Sequence, residues 1–333
     1  MKPERVLLSH GAGGRAMTEL ISEVFLSHFA QCGAGDDSAQ IELNSAAAAF
    51  TTDSFVVDPI FFPGGDIGRL AVAGTVNDLL TAGARPVALS ASFIVEEGFE
   101  IESLAAIAES MARTAREAGV LIVTGDTKVV PRGGADKVFI TTAGVGEVLR
   151  QGISGAAAKP GDAVVLTGSV GDHGTAVMLA RERLLDGHGI ASDCAPLTQI
   201  VLRVLESGCD VHAMRDPTRG GIAASLNEIA RQSGAMVEVD EEAVPLKPAV
   251  SAACEALGLD PLQVANEGKM LVILPAADAE RAVEIIRGCE YGEDACVIGW
   301  VASAPPGRVQ VRTALGTSRI LDVPAGELLP RIC

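Results

Sequence analysis

The stretch GDIGRLAVAGTVNDLLTAGARP, residues 65–86, decides how the chain is read. Its apolar residues recur at helical spacing, Gly83 supplies a stop and Pro86 lies just beyond, so the pattern predicts one helix with a sharp end. Upstream, AAAAFTTD (46–53) reads as a strand ending in an acid. Downstream, VALSASFIVEE alternates like a strand, and IESLAAIAESMARTAREAGV predicts an amphipathic helix stopping at Gly119. LIVTGD and DKVFITTAGVGEV complete the half as strands. Strands and helices alternate, as in an α/β architecture.

A composition break rich in Gly, Ala and Pro, RQGISGAAAKPGDAV, marks a boundary near 150–162 and divides the chain into residues 1–150 and 151–323. The pattern then restarts with the strand AVVLTGSVGDHG, helices near 174–186 and 197–207, and the glycine turn and helix of DPTRGGIAASLNEIARQSG. Strand MLVILPA, helix DAERAVEIIRG, strand ACVIGWV and two β-rich segments at 308–312 and 318–322 follow. The last ten residues, PAGELLPRIC (324–333), hold Pro324 and Pro330 and are expected to form an extended, mobile tail. A length of 333 residues suits two domains of ~150 residues each. With only 3% aromatic residues, both cores must be aliphatic.

The net charge is −17, and no Lys/Arg cluster interrupts it, which excludes general nucleic-acid binding. An anionic ligand such as ATP would need metal ions or focused positive charge. Seven cysteines at irregular spacing, without a CxxC, exclude a disulfide framework and point to a reducing cytoplasm. The Cys289–Cys296 pair reads as core or surface chemistry, not a metal site. No signal peptide and no stretch long enough to span a bilayer is expected.

Four acid-bearing stretches stand out in the first half: GAGDDS (Asp36, Asp37), TTDS (Asp53), VNDLL (Asn77, Asp78) and GDTK (Asp126, Lys128). Carboxylates on several loops converge on a hard cation such as Mg²⁺, which bridges phosphates; taken singly, each is equally a cap or turn residue. Neither a P-loop nor a dinucleotide fingerprint occurs. HGAGGR (10–15), GSVGDHG (168–174) and RDPTRGG (215–221) are glycine turns suited to phosphate, and in the last Arg215 and Arg219 flank Asp216. In NEGKM (266–270), Glu267 and Lys269 read as a base and a cation or as a solvated turn. His10 and His173 are proton carriers or structural residues. Cys333, the last residue, has little prospect of core packing and is either an accident or a working end.

Taken in order, GDDS, TTDSFVV, NDLLTAGARP, GDTKVV, GDHG, DPTRGG, NEGK and the terminal PRIC resemble the hydrogenase maturation protein HypE family. Most of these motifs are shared with aminoimidazole ribonucleotide synthetase, selenophosphate synthetase and thiamine-monophosphate kinase; PRIC is the specific one. GDDS replaces the usual GDDA, leaving the carboxylates untouched. The resemblance implies a two-domain PurM-like fold of α/β (α+β) type, dimerising through the N-terminal domain, with ATP in a cleft near that interface. It implies ATP-dependent dehydration of a carbamoyl group on Cys333 to a thiocyanate, whose cyanide goes to the iron of a [NiFe]-hydrogenase precursor. HypF would supply the carbamoyl group and the HypC–HypD complex would accept the cyanide. By resemblance, Asp36, Asp37, Asp53, Asp78 and Asp216 handle Mg²⁺–ATP. Asn77, Gly125, Asp126, Thr127 and Arg219 line the nucleotide, and Lys128 and Glu267 stabilise charge and remove protons near the tail tip. Beside this stand a small-molecule kinase of the same superfamily, which would not need Cys333, and a metal-carrying thiol, for which no second ligand lies near the tail.

Overall fold

The computed structural model describes residues 4–11, 15–29, 41–182, 189–323 and 331–333. The first half contains α1 (Arg15–Leu20), β1 (Ala48–Phe55), the short pair β2 (Phe61–Phe62) and β3 (Gly65–Asp66), and α2 (Ile67–Thr81). After these come β4 (Ala84–Glu96), α3 (Ile101–Ala118), β5 (Leu121–Val130) and β6 (Val138–Val148). The sheet order is β1-β6-β4-β5, with β4 and β5 parallel and the other pairs antiparallel.

The helix in 65–86 begins two residues later than its pattern suggests, because Gly65–Asp66 pairs with Phe61–Phe62. Asp66 starts it: its Oδ1 accepts the N–H groups of Gly68 (2.7 Å) and Arg69 (3.1 Å), satisfying two of the free donors of the first turn. Leu70, Val76, Leu79 and Leu80 are all buried, and residues around the whole circumference are buried with them. Such a helix belongs inside a molecule. Here α2 lies between β1, β6 and α3 on one side and elements of the second half on the other. Each leucine contributes ~1.5–3 kcal/mol by leaving water. The helix α3 buries a single stripe, Leu104, Ile107, Ala108 and Met111, and ends at Gly119 with φ 69, the left-handed cap that glycine accepts most readily.

The second half comprises β7 (Asp162–Leu166), α4 (Asp172–Arg181), α5 (Thr198–Glu206), β8 (Ala213–Arg215), α6 (Gly221–Ser233), β9 (Met236–Asp240) and α7 (Pro248–Leu257). It continues with β10 (Leu271–Pro275), α8 (Ala276–Arg287), β11 (Cys296–Ala302), β12 (Arg308–Arg312) and β13 (Ser318–Ile320). Its mixed sheet runs β13-β12-β9-β11-β7-β10-β8. The apolar runs of β7 and β10 are paired on both edges and buried on both faces, which explains their lack of alternation. The sequence reading missed α1, β2, β3, β8, β9 and α7. Of these, α7 carried a usable signal, Pro248 at its first position and Gly258 as left-handed cap. No helix among the described residues is long and apolar enough to cross a membrane.

Candidate active site at the chain end

The last three residues are docked, which corrects the expectation that the terminal thiol would stay out of the core: Cys333 is only 8% exposed. Residues 324–330, the rest of the expected mobile tail, lie outside the described residues. Backbone capture supplies the physical reason. Arg181, at the end of α4, donates to the carbonyl of Asp58 and to that of Arg331 (2.8 Å), and the Asp58 N–H also reaches the Arg331 carbonyl at 3.2 Å. The Arg331 side chain donates to the Val56 carbonyl (3.1 Å) and pairs with Asp136. Its φ of 52 is left-handed, uncommon for a side-chain-bearing residue, and redirects the chain.

His173 Nε2 lies 2.9 Å from the Ile332 carbonyl. That oxygen can only accept, so Nε2 carries the proton, and Nδ1 then accepts from Ser192 Oγ at 2.8 Å. The Ser192 oxygen accepts the Cys194 N–H in turn. Burial lowers the His173 pKa, in keeping with a neutral ring. Ile332 packs with Val250, Cys254 and Val264 in a small apolar cluster.

The Cys333 thiol meets Glu267 in the turn before β10. Glu267 is 3% exposed, and its Oε1 has no hydrogen-bond partner among the described residues. Burial pushes its pKa well above the usual carboxylate range, and the negative charges of Asp216, Asp193 and Asp53 add to this while Arg219 opposes it. Burial raises the thiol too, with Glu267 next in importance. The terminal thiol therefore lies beside a buried acid, and burial pushes both groups toward their neutral forms.

The backbone of Glu267 is gripped from several directions. Its N–H donates to Asp193 Oδ1 (3.1 Å), and its carbonyl accepts from Ala195 N–H (3.3 Å) and Asn77 Nδ2 (3.5 Å). Asn77, on α2, also donates to the Ala195 carbonyl (3.0 Å) and accepts the Leu197 N–H (2.9 Å). Both ends of its amide are thus spent on holding the loop that supports Glu267. A side chain at Gly268 would meet the Asp193 carbonyl at 1.8 Å, so glycine is required for this approach. Lys269 pairs with Asp193 at 3.1 Å, both side chains being more than nine-tenths buried. Burial acts upward on the Asp193 pKa, but the Lys269 charge and the Glu267 N–H hydrogen bond act downward and the balance lies below the usual carboxylate value.

Three more acids approach from different elements: Asp53 on β1, Asp78 on α2 and Asp216 after β8. Burial and then the charges of Asp78 and Asp53 push Asp216 up to about 7, with Arg215 among the opposing influences. Asp78 is raised by burial and by Asp53 despite the 2.9 Å hydrogen bond from Thr51; Asp53 is raised by burial against Ser54 and Arg219. These carboxylates repel one another. Among the described residues no three donors form a ready-made metal centre. The donor set nevertheless suits Mg²⁺, which takes one or two carboxylates and fills its shell with water and phosphate.

Asp216 also yields a stability prediction. With its pKa raised from an ordinary 3.8 to about 7, its contribution is fully present below the ordinary value and is lost as pH rises toward 7. Discounted for partial exposure, the penalty at neutral pH is on the order of 1–2 kcal/mol. Asp216→Asn is expected to raise the ligand-free thermal midpoint at pH 8 by roughly 2–5 °C and to flatten its decline between mildly acidic and neutral pH. A lowered midpoint in a calorimetric pH series would contradict the repulsion.

Asp36 and Asp37 are outside the described residues. Arg219 is exposed yet close enough for its charge to act on Asp53, Glu267 and Cys333, and the neighbouring Arg215 pairs with Glu228. Asp126 and Lys128, on β5, are exposed and pair with each other at 2.8 Å. The buried Thr127 donates its N–H to Asp126 Oδ1 (2.8 Å), and a side chain at Gly125 would strike the Ala91 carbonyl. His10 is buried and accepts the Leu7 N–H at 3.0 Å, a structural role. Cys289 and Cys296 are both free thiols. Sequence reasoning missed Arg181, Asp193, Ser192, Asp58 and Asp136; they meet the tail or Glu267 only through tertiary contact, and no local motif marks them.

Residues 35–148 match the AIR synthase related protein, N-terminal domain, and residues 159–312 match the corresponding C-terminal domain. The carbamoyl dehydratase HypE of Rhizobium leguminosarum bv. viciae is 52% identical over 334 residues, spanning 99% of this chain and 95% of the relative. A crystal structure of hydrogenase maturation protein HypE in complex with ATP superposes with a TM-score of 0.95 at 50% identity, covering 98% of this chain and 99% of that one. The HypE chain in a crystal structure of a HypE–HypF complex gives a TM-score of 0.81 at 47% identity, covering 93% and 100%.

Proposed function

The chain belongs to the HypE family of carbamoyl dehydratases, and from that premise we propose that it dehydrates an S-carbamoyl group on its own Cys333 to a thiocyanate, at the expense of ATP. The observation that carries the reading is the terminal thiol lying against a buried carboxylic acid. A thiocarbamate, S–C(=O)NH₂, must lose its oxygen, and hydroxide is a poor leaving group. Attack of that oxygen on the γ-phosphate breaks the bond to ADP; the C–O bond then breaks, the oxygen leaves with phosphate, and the nitrogen sheds both protons as the C≡N bond forms. Glu267, with its uncommitted Oε1, is positioned to take a proton. Enclosure of the tip keeps water from the activated carbon.

Asp53, Asp78 and Asp216 would hold the magnesium ion, whose charge offsets phosphate repulsion in a −17 protein. ATP binding itself is supported by the ATP complex of the similar HypE, and HypF as carbamoyl source by the HypE–HypF complex. The HypC–HypD complex would take the cyanide for hydrogenase iron. A homodimer suits the first sheet, whose open face carries exposed Phe50 and Ile94. By register, Ile94 lies beside Lys128 and Ser92 beside Asp126, so those two charged residues belong to the face a second copy would cover. A reducing cytoplasm fits a reaction that needs a free thiol.

The metal arm of this reading is tested by titration calorimetry. Asp78→Asn is expected to weaken Mg²⁺–ATP binding about tenfold, the loss of one charge-assisted contact. ATP that binds equally well in the presence of a chelator would rule out the metal bridge.

A further inference from the structure

Behind the Glu267 loop lies a cavity of about 290 Å³ that neither Glu267 nor Cys333 lines. Ligand sites begin at roughly 300 Å³, so this one suits an ion or a small molecule. Gly168 and Ser169, at the start of the glycine turn GSVGDHG, form part of its wall. Both are buried, and their N–H groups take no acceptor among the described residues. Buried N–H groups without a partner are rare and call for a ligand or water. Lys247 and Lys269 stand in the same wall, and an ammonium group has three donors. Lys269 spends one on the Gly268 carbonyl (3.2 Å) and pairs with Asp193 (3.1 Å), while Lys247 pairs with Asp172 (3.1 Å), so donors remain on both. A side chain at Gly168 would come within 3.0 Å of Lys269 Cε, so glycine leaves room for this lysine. Arg69, also in the wall, is committed to Glu117 and the Cys194 carbonyl, and the acids Glu293 and Asp294 belong to the exposed rim. Asp193 provides the one acceptor. Its side chain is 4% exposed, and Oδ1 takes the Glu267 N–H. Oδ2, though beside Lys269 Nζ, accepts no hydrogen bond among the described residues.

Several N–H donors around one carboxylate oxygen fit an oxyanion that still carries a proton. We propose that this cavity binds hydrogen phosphate, with Lys247, Lys269 and the N–H groups of Gly168 and Ser169 donating to its oxygens and Asp193 Oδ2 accepting its hydroxyl. The arrangement discriminates by protonation. Sulfate has the same shape and charge but no proton at neutral pH, so one of its oxygens would face the Asp193 oxygen lone pair to lone pair and leave a buried acceptor unpaired. Asp193 joins this cavity to the dehydration site, because its other oxygen holds the Glu267 backbone. Phosphate is the product that departs with the carbamoyl oxygen, and a site one residue behind Glu267 would receive it. That use of the cavity rests on the dehydration reading, whereas the binding of phosphate does not.

The test is titration calorimetry on the full chain, with a chelator present and no nucleotide, using inorganic phosphate and sulfate as probes at matched ionic strength and neutral pH. Phosphate is expected to bind about tenfold more tightly than sulfate, the effect of one buried acceptor left unpaired. Lys247→Gln keeps an N–H for Asp172 but removes the charge, and it should weaken phosphate about five- to tenfold. Asp193→Asn, whose amide is able to turn an N–H toward the anion, should admit sulfate and erase the preference. Thermal midpoints taken alongside check that each variant is folded; where Asp193→Asn loosens the Glu267 loop, the Lys247→Gln result decides alone. No heat with phosphate, sulfate bound as tightly as phosphate, or phosphate binding untouched by Lys247→Gln would each overturn the proposal. No carbamoyl donor enters the test, so a chain that binds phosphate yet makes no thiocyanate would fault the dehydration reading and leave this site standing.

Discussion

Cys333→Ala is expected to abolish thiocyanate formation completely while leaving Mg²⁺–ATP binding unchanged. No other described thiol meets Glu267 as Cys333 does. Cys194, Cys209, Cys254 and Cys289 are buried, and Cys296 is partly covered, its thiol directed to the Ala243 carbonyl. Burial raises the pKa of Cys194 and Cys254 as it raises that of Cys333, so what sets Cys333 apart is its place on the tail and not its acidity. A carrier at the end of a chain is able to visit a carbamoylating partner, the nucleotide and an acceptor in turn; a core thiol is not. The outcome also separates the competing chemistry, since a kinase acting on a free metabolite would retain its turnover in the Cys333→Ala protein.

The second large effect concerns Glu267. Glu267→Gln keeps the shape of the site and removes the base, and the dehydration rate is expected to fall ~10²–10⁴-fold, the range for loss of a positioned proton acceptor. Cys333 alkylation should stay slow, because the tail contacts do not involve the Glu267 proton. A pH profile adds the sign. A base works in its ionised form, so the wild-type rate should climb as pH rises through the Glu267 pKa, which burial and the neighbouring acids hold high. The Gln variant should lose that limb. A cation brought in with the nucleotide would neutralise Asp216 and Asp53 and so lower the Glu267 pKa, making the base available when phosphate arrives. An unchanged rate in single-turnover measurements would remove Glu267 from this role.

Much of the fold was legible because its patterns are local. The helix in 65–86, the stripe of α3 with its Gly119 cap and the strands β1, β4, β5 and β6 all follow from spacing and punctuation. β9, five residues long, escaped because a short alternating run carries little signal. In the site, acids and glycines were legible as types but not as partners. Asp53, Asp78, Asp216 and Glu267 act on one another, whereas Asp126 and Lys128 are committed to each other on an open sheet face. Asn77, assigned to the nucleotide by resemblance, brackets α2 to the loop under Glu267, a contact no local pattern marks. The docking of Cys333 could not be read from the chain end, because Arg181 and His173 lie about 150 residues away and their role depends on tertiary contact.

The central claim, that Cys333 carries the group that is dehydrated, is tested most directly by intact-protein mass. The full chain is incubated with the carbamoylating partner and its substrates, then given Mg²⁺–ATP, and the modified residue is located by peptide mapping. The predicted result is a gain of one carbamoyl group on Cys333, followed by loss of the mass of one water on the same residue when ATP is added. A carbamoyl group found on any other thiol, or one on Cys333 that keeps its full mass after ATP has been consumed, would contradict the account.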